Sequence, residues 1–99
     1  MTLPLRTQRE RFAMLTNENG DVFLAHEQPL PLPVEWVEYD QTDRLIYLTF
    51  DNGEQKHFAM EMSAQTIENL RRANEITVAC VKNKQIISRQ NAHFIFKDI

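Results

Sequence analysis

This chain contains almost no cysteine, and this scarcity excludes two kinds of structure. Cys80 is the single cysteine, so the chain can form neither an internal disulfide nor a zinc site built from several thiolates. It lies in an apolar stretch, which predicts a small buried side chain rather than a reactive thiol. A cysteine-poor chain suits a reducing compartment, and we expect a cytoplasmic protein.

Long hydrophobic runs are also missing. No apolar stretch approaches the roughly 20 residues that span a bilayer. The first eleven residues lack the apolar core of a signal peptide. The sequence therefore predicts a protein that is neither embedded in a membrane nor exported.

Glycine occurs only twice, as Gly20 and Gly53, and each follows an asparagine. Asn-Gly pairs between β-forming runs are typical of hairpin turns. Both glycines are therefore assigned to turns, and no glycine-rich loop remains to hold a phosphate group or a dinucleotide.

What is present predicts a folded domain. The chain has 99 residues, of which 42% are hydrophobic and 25% are charged, so disorder is not expected. A chain of this length has room for one core, and we expect a single domain over residues 1–99.

The strongest local pattern is a hairpin around Gly53. The apolar run over residues 45–50 is followed by Asp-Asn-Gly and a second arm over residues 54–62. A three-residue loop with Gly53 in the left-handed region gives a consistent register. It places one apolar set on a single face: Ile46, Leu48, Phe50, Phe58 and Met60.

The first third of the chain allows two interpretations. Residues 12–16 and 22–25 flank Asn19-Gly20 and predict a second hairpin, which we prefer. Alternatively, Thr7 and Glu10 form a capping box that opens a helix ending at Gly20. Three prolines within residues 29–33 then predict an extended connector that leads into a strand over residues 34–39.

The last third combines a helix with more strands. Ser63 is a candidate N-cap for a helix over about residues 64–74, with Glu68 placed to pair with Arg71 or Arg72. Residues 76–81, 85–89 and 93–97 predict a three-stranded meander with turns at Asn83-Lys84 and near Asn91. The predicted fold is α+β: a mostly antiparallel sheet built from hairpins, with one short helix packed on it.

No pattern of catalytic, cofactor-binding or metal-binding residues stands out. The three histidines lie far apart, and neither Ser63 nor Ser88 sits in a nucleophile elbow. His57 and Glu61 share one predicted strand face, which supports a small enzyme with a site between subunits only as a minor alternative. We therefore expect no catalytic residues, no metal and no cofactor.

Charge is distributed unevenly along the chain. Residues 1–12 carry a net +2, residues 13–63 carry −8 and residues 64–99 carry +3. Such a layout allows charge-complementary pairing of two copies. It also allows an alternative, nucleic-acid binding through a basic C-terminal third. The bases of that alternative are Arg71, Arg72, Lys82, Lys84 and Arg89.

The leading hypothesis is a non-enzymatic binding or regulatory domain that acts through a sheet face or edge. The expected partner is a second copy, forming a homodimer, or another protein. Aromatic and apolar anchors dominate the energetics of such contacts. The candidate contact residues are Trp36, Leu45, Tyr47 and His57.

Overall fold

The computed structural model describes residues 12–97 and consists mainly of β-structure. Just over half of these residues lie in seven strands, and there is one helix. The strands are β1 Phe12–Thr16, β2 Val22–His26, β3 Val34–Asp40, β4 Leu45–Phe50, β5 Gln55–Ala59, β6 Glu75–Lys82 and β7 Gln85–Lys97. The helix, α1, spans Ala64–Leu70. No helix in this part of the chain is long and apolar enough to cross a membrane.

All seven strands form one sheet in the order β1-β2-β6-β7-β3-β4-β5. Four neighbouring pairs are antiparallel, as predicted, but β2 with β6 and β3 with β7 are parallel. The prediction of an α+β fold therefore holds broadly, while the sheet is mixed rather than built from hairpins alone. The connector over residues 27–33 carries the chain past β6 and β7, so β3 lies next to β7 and not next to β2.

The predicted hairpin around Gly53 is confirmed, together with its register. Gly53 has a φ of 92°, and its N–H donates to the carbonyl of Phe50 at 2.9 Å. Ile46 lies opposite Phe58, and Leu48 lies opposite Lys56. The predicted apolar face is the one that the fold buries.

The first hairpin is also confirmed. β1 and β2 pair antiparallel, and Gly20 has a φ of 87° in the turn between them. The Asn17 side chain accepts the N–H groups of Asn19 and Asp21 and so fixes that turn. A helix continuing to Gly20 is wrong, because residues 12–16 form a strand; Thr7 and Glu10 lie outside the described residues.

The helix begins as predicted but ends earlier, at Leu70 rather than Asn74. The Ser63 hydroxyl oxygen accepts the Thr66 N–H at 3.2 Å, as an N-cap should. At the other end, the carbonyl of Asn74 accepts the N–H of Phe94 at 2.8 Å. From Asn74 onward the chain is hydrogen-bonded to β7, which is incompatible with another helical turn.

The predicted turn near Asn91 is wrong. β7 is one strand of 13 residues that runs through Gln90 and Asn91. Asn91 pairs with Thr77 in the β6–β7 ladder, and the two side chains are hydrogen-bonded at 3.4 Å. Gln90 also has a partner, since its side-chain oxygen accepts the N–H of Val34 at 2.8 Å. Tertiary partners for two amide side chains thus stabilise a strand where the sequence suggested a turn.

The sheet is curled, with a concave inner face and a convex outer face. Phe12 in β1 stacks on Phe58 in β5 with ring centroids 4.2 Å apart, although these strands lie at opposite ends of the strand order. The inner face holds the buried core, and Leu70 of the helix packs into it. Its fully buried members are Tyr39, Leu24, Ile46, Leu48, Leu70, Val37 and Val78.

Candidate protein-contact surface

The four residues predicted to form a contact share the outer face of the sheet. Side chains alternate between faces along a strand, so the buried Val37 and Tyr39 direct Trp36 and Glu38 outward. In β4 the same alternation directs Leu45, Tyr47 and Thr49 outward. His57 lies opposite Tyr47 in the β4–β5 ladder, and their rings are 5.6 Å apart.

Trp36 is the most prominent of these residues. It is 39% exposed, which is unusual for the largest apolar side chain. It follows a β-bulge at the start of β3, which re-aims this end of the strand. Its ring centroid lies 4.7 Å from that of His93, its pairing partner in β7.

Two neighbours on this surface, His93 and Ile95, were not predicted from the sequence. Both lie in the outward register of β7, and Ile95 is 44% exposed. The signal was the alternation His93, Phe94, Ile95, Phe96, in which Phe94 is buried and Phe96 half-buried. Because Phe94 and Phe96 face inward, their neighbours His93 and Ile95 face outward.

We call this surface the outer patch. It spans strands β7, β3, β4 and β5, which are neighbours in the sheet. Glu38 lies within it, opposite both Tyr47 and Ile95, so the patch is apolar and aromatic with one carboxylate. Its members are Trp36, Leu45, Tyr47, His57, His93 and Ile95.

The five bases of the nucleic-acid alternative do not form one patch. Arg71 and Arg72 follow the helix, and both guanidinium groups lie within about 4 Å of the Glu68 carboxylate. Arg71 also stacks over Phe96, 4.9 Å from the ring centroid. Lys82 and Lys84 lie at the β6–β7 turn, separated from Arg72 by the length of β6, about 25 Å, and Arg89 lies opposite Ala79, about halfway along β6.

The pairing of His57 with Glu61 is not formed either. His57 is exposed beside Tyr47, whereas Glu61 lies beyond the end of β5 and pairs with Arg44 at 3.8 Å. Cys80 is buried, and its sulfur lies 3.8 Å from the carbonyl oxygen of Glu27. Among residues 12–97 no three histidine, cysteine, aspartate or glutamate side chains are grouped so as to hold a metal ion.

Comparison of the chain with protein-family models, with curated proteins and with solved structures finds no match.

Proposed function

We propose that this chain is a small non-enzymatic binding domain that contacts a protein partner through the outer patch. The observation that carries the proposal is the exposure of Trp36 close to Ile95 on the hydrogen-bonded outer face of the sheet. Tryptophan and tyrosine are enriched among the residues that dominate binding energy, because they bury a large area with few rotatable bonds. Trp36 and Tyr47 both lie on hydrogen-bonded strands, so little conformational entropy is lost when a partner covers them.

The proposal includes self-association and a cytoplasmic location. Charge of opposite sign in different parts of the chain favours contact between two copies. The lone buried cysteine suits a reducing compartment. Binding of nucleic acid is less favoured, because the predicted basic residues are divided between two distant parts of the molecule.

Site-specific photo-crosslinking in cells tests the proposal. A benzophenone amino acid replaces Ile95 in the outer patch, and Leu15 on β1, which is 51% exposed against 44% for Ile95, serves as the matched control position. We expect an adduct from position 95 that is lost when Trp36→Ala is added, and a much weaker adduct from position 15. An adduct that survives Trp36→Ala, or equal adducts from both positions, would overturn the proposal.

The mass of the adduct identifies the partner class. A product of twice the chain mass of 11.7 kDa indicates a second copy, and any other mass indicates a different protein.

A further inference from the structure

The β6–β7 hairpin leaves part of a strand without a neighbour. β6 pairs with β7 over residues 85–93, but β3 pairs with β7 only from His93 onward. Within residues 12–97, no backbone hydrogen bond joins residues 85–91 to anything except β6. We call residues 85–91 the open edge.

The direction of the unpaired groups follows from the ladder. The N–H of Phe94 donates to the carbonyl of Asn74, on the β6 side. In an antiparallel pair the bonded residues alternate, so the even-numbered residues 92, 90 and 88 also point their backbone groups toward β6. The N–H and C=O groups of Asn91 and Arg89 therefore point away from β6, toward the open side.

Of the devices that keep strand edges from pairing, the open edge has a β-bulge at Ile87, where the β6–β7 register shifts, but few others. It contains no proline and only one charged residue, Arg89. It also carries Ile86 and Ile87, which are 46% and 57% exposed. Every residue from Lys82 to Arg89 is exposed. The described neighbours of the hairpin lie at its ends: residues 27–29 of the connector line a cleft beside the turn, and Val34 donates its N–H to the Gln90 side chain.

The two ends of the open edge carry charges of opposite sign. At its Asn91 end lies a cleft of about 400 Å³, where β3 diverges from β7. Three carboxylate residues line this acidic cleft: Glu35, Asp51 and Glu75. At the other end the hairpin turn carries Lys82 and Lys84, and no acid occurs between Ile76 and Lys97.

We infer that a second copy of this chain pairs antiparallel with the open edge, forming a two-fold symmetric dimer whose sheet runs through both copies. If β7 pairs symmetrically about Ser88, Ser88 lies on the two-fold axis and Ile86 lies opposite Gln90 of the other copy; Gln85 itself is paired with Lys82 across the hairpin turn. Lys84 of each copy then lies beside Ala92 of the other, at the acidic cleft. This register also keeps the two Arg89 side chains apart, since each faces Ile87 of the other copy.

This inference rests on the self-association proposed above. It places the contact between the two copies at the open edge and leaves the outer patch free for another partner. Because one sheet continues into the other, the outer patches of the two copies would share one extended surface. Such a dimer would present two equivalent binding surfaces to a partner, which raises avidity without new contacts.

The first test uses a cysteine placed on the expected axis. Ser88→Cys is made in a Cys80→Ala background, because Cys80 pairs with Ser88 within one chain and would compete. Position 88 is then a non-hydrogen-bonded pair, with Cα atoms about 4.5 Å apart, which suits a disulfide. We expect a covalent dimer under mild oxidation, and none from the matched control Gln85→Cys.

The second test reverses charge. Lys82→Glu with Lys84→Glu, or Glu35→Lys with Asp51→Lys, should each raise the dissociation constant of the dimer at least about tenfold. Mixing the two variants should restore a heterodimer with an affinity near that of the wild type. The control pair Glu18→Lys with Asp43→Lys, in two other turns, should leave the dissociation constant unchanged.

The outcomes separate the two proposals. If the wild-type chain sediments as a monomer at about 100 μM, its dissociation constant lies above that concentration and is too weak for a specific dimer. That result overturns both the dimer and the open-edge inference. A wild-type dimer that shows neither the Ser88 disulfide nor the charge-reversal pattern overturns the open edge alone. Self-association through the outer patch then stands, and Trp36→Ala would dissociate that dimer.

Discussion

At the residue scale, position in the curled sheet decides what each side chain does. Trp36 and Tyr39 lie three residues apart in one strand, yet Trp36 is the most exposed aromatic anchor and Tyr39 is 1% exposed. The aromatic content of β3 is visible in the sequence, but which ring is available for contact depends on the face. The outer patch is therefore a property of strand register as much as of composition.

The buried Tyr39 gives the chain a dependence of stability on alkaline pH. Burial raises the pKa of the Tyr39 hydroxyl above 10.0, the nearby Asp40 and Glu61 carboxylates act in the same direction, and Arg44 opposes them. The stability from Tyr39 is complete below pH 10, where the tyrosine is neutral in both states. Above pH 10 the unfolded chain releases the proton first, so this stability is lost as the pH rises through the folded-state pKa.

Urea unfolding between pH 8 and pH 11.5 measures this effect. We expect the free energy of unfolding to fall more steeply above pH 10 for the wild type than for Tyr39→Phe, which keeps the ring and removes the titrating group. Parallel pH profiles for the two proteins would contradict this account.

At the element scale, turns are under more conformational constraint than strands. The two turn residues of the β6–β7 hairpin, Asn83 and Lys84, have φ values of 54° and 64°. Left-handed backbone at both central positions is the pattern of a type I′ turn, which favours Asn followed by Gly. The sequence supplies Asn-Gly in the β1–β2 and β4–β5 hairpins and Asn-Lys here, so Lys84 is strained, as is Arg44 in the β3–β4 turn with a φ of 58°.

Replacing Lys84 with glycine should relieve that strain. We expect the free energy of unfolding to rise by about 0.5 to 1 kcal/mol, because glycine adopts a positive φ without a steric cost. The matched control is Lys82→Gly, whose backbone is not left-handed; it should lower stability by a similar amount. Chemical denaturation at high salt, which screens charge contacts between copies, gives both values, and a destabilising Lys84→Gly would show that the turn is not strained.

At the scale of the whole molecule, the curl of the sheet depends on contacts between elements distant in the chain. Phe12 and Phe58 stack across the two end strands, and Phe12 also lies 5.8 Å from His26. This cluster holds the concave face around its core. If this aromatic cluster were removed, the hydrogen-bonded ladders of the sheet would remain, but β1 and β5 would lose a contact that holds them close together.

Truncating Phe58 tests the importance of that contact. We expect Phe58→Ala to lower the free energy of unfolding by about 2 kcal/mol, less than for a fully buried phenylalanine because the side chain is half-buried. The control Leu15→Ala removes an exposed apolar side chain from β1 and should change stability by less than about 0.5 kcal/mol. Equal losses for the two variants, measured by urea denaturation, would mean that the stacked pair does not stabilise the curled sheet.

Local chemistry by itself determined a large part of this protein. Asn-Gly turns between alternating strands specify β1–β2 and β4–β5, and Ser63 specifies the start of the helix. These features depend on residues close in sequence, so backbone preferences and side-chain alternation are enough to predict them. The same alternation puts Leu45, Tyr47 and His57 on one face of the β4–β5 hairpin, whereas Trp36 shares that face only through the pairing of β3 with β4.

Only the tertiary structure decided the rest, because it depends on partners that local patterns do not contain. The parallel pairing of β3 with β7 joins strands more than 50 residues apart, and it places His93 and Ile95 beside Trp36. The hydrogen bonds of Gln90 and Asn91 hold β7 as one continuous strand where their residue types suggest a turn. Strand length separates Arg72 from Lys82. Strand order and the length of β7 together leave the open edge between β3 and the hairpin tip.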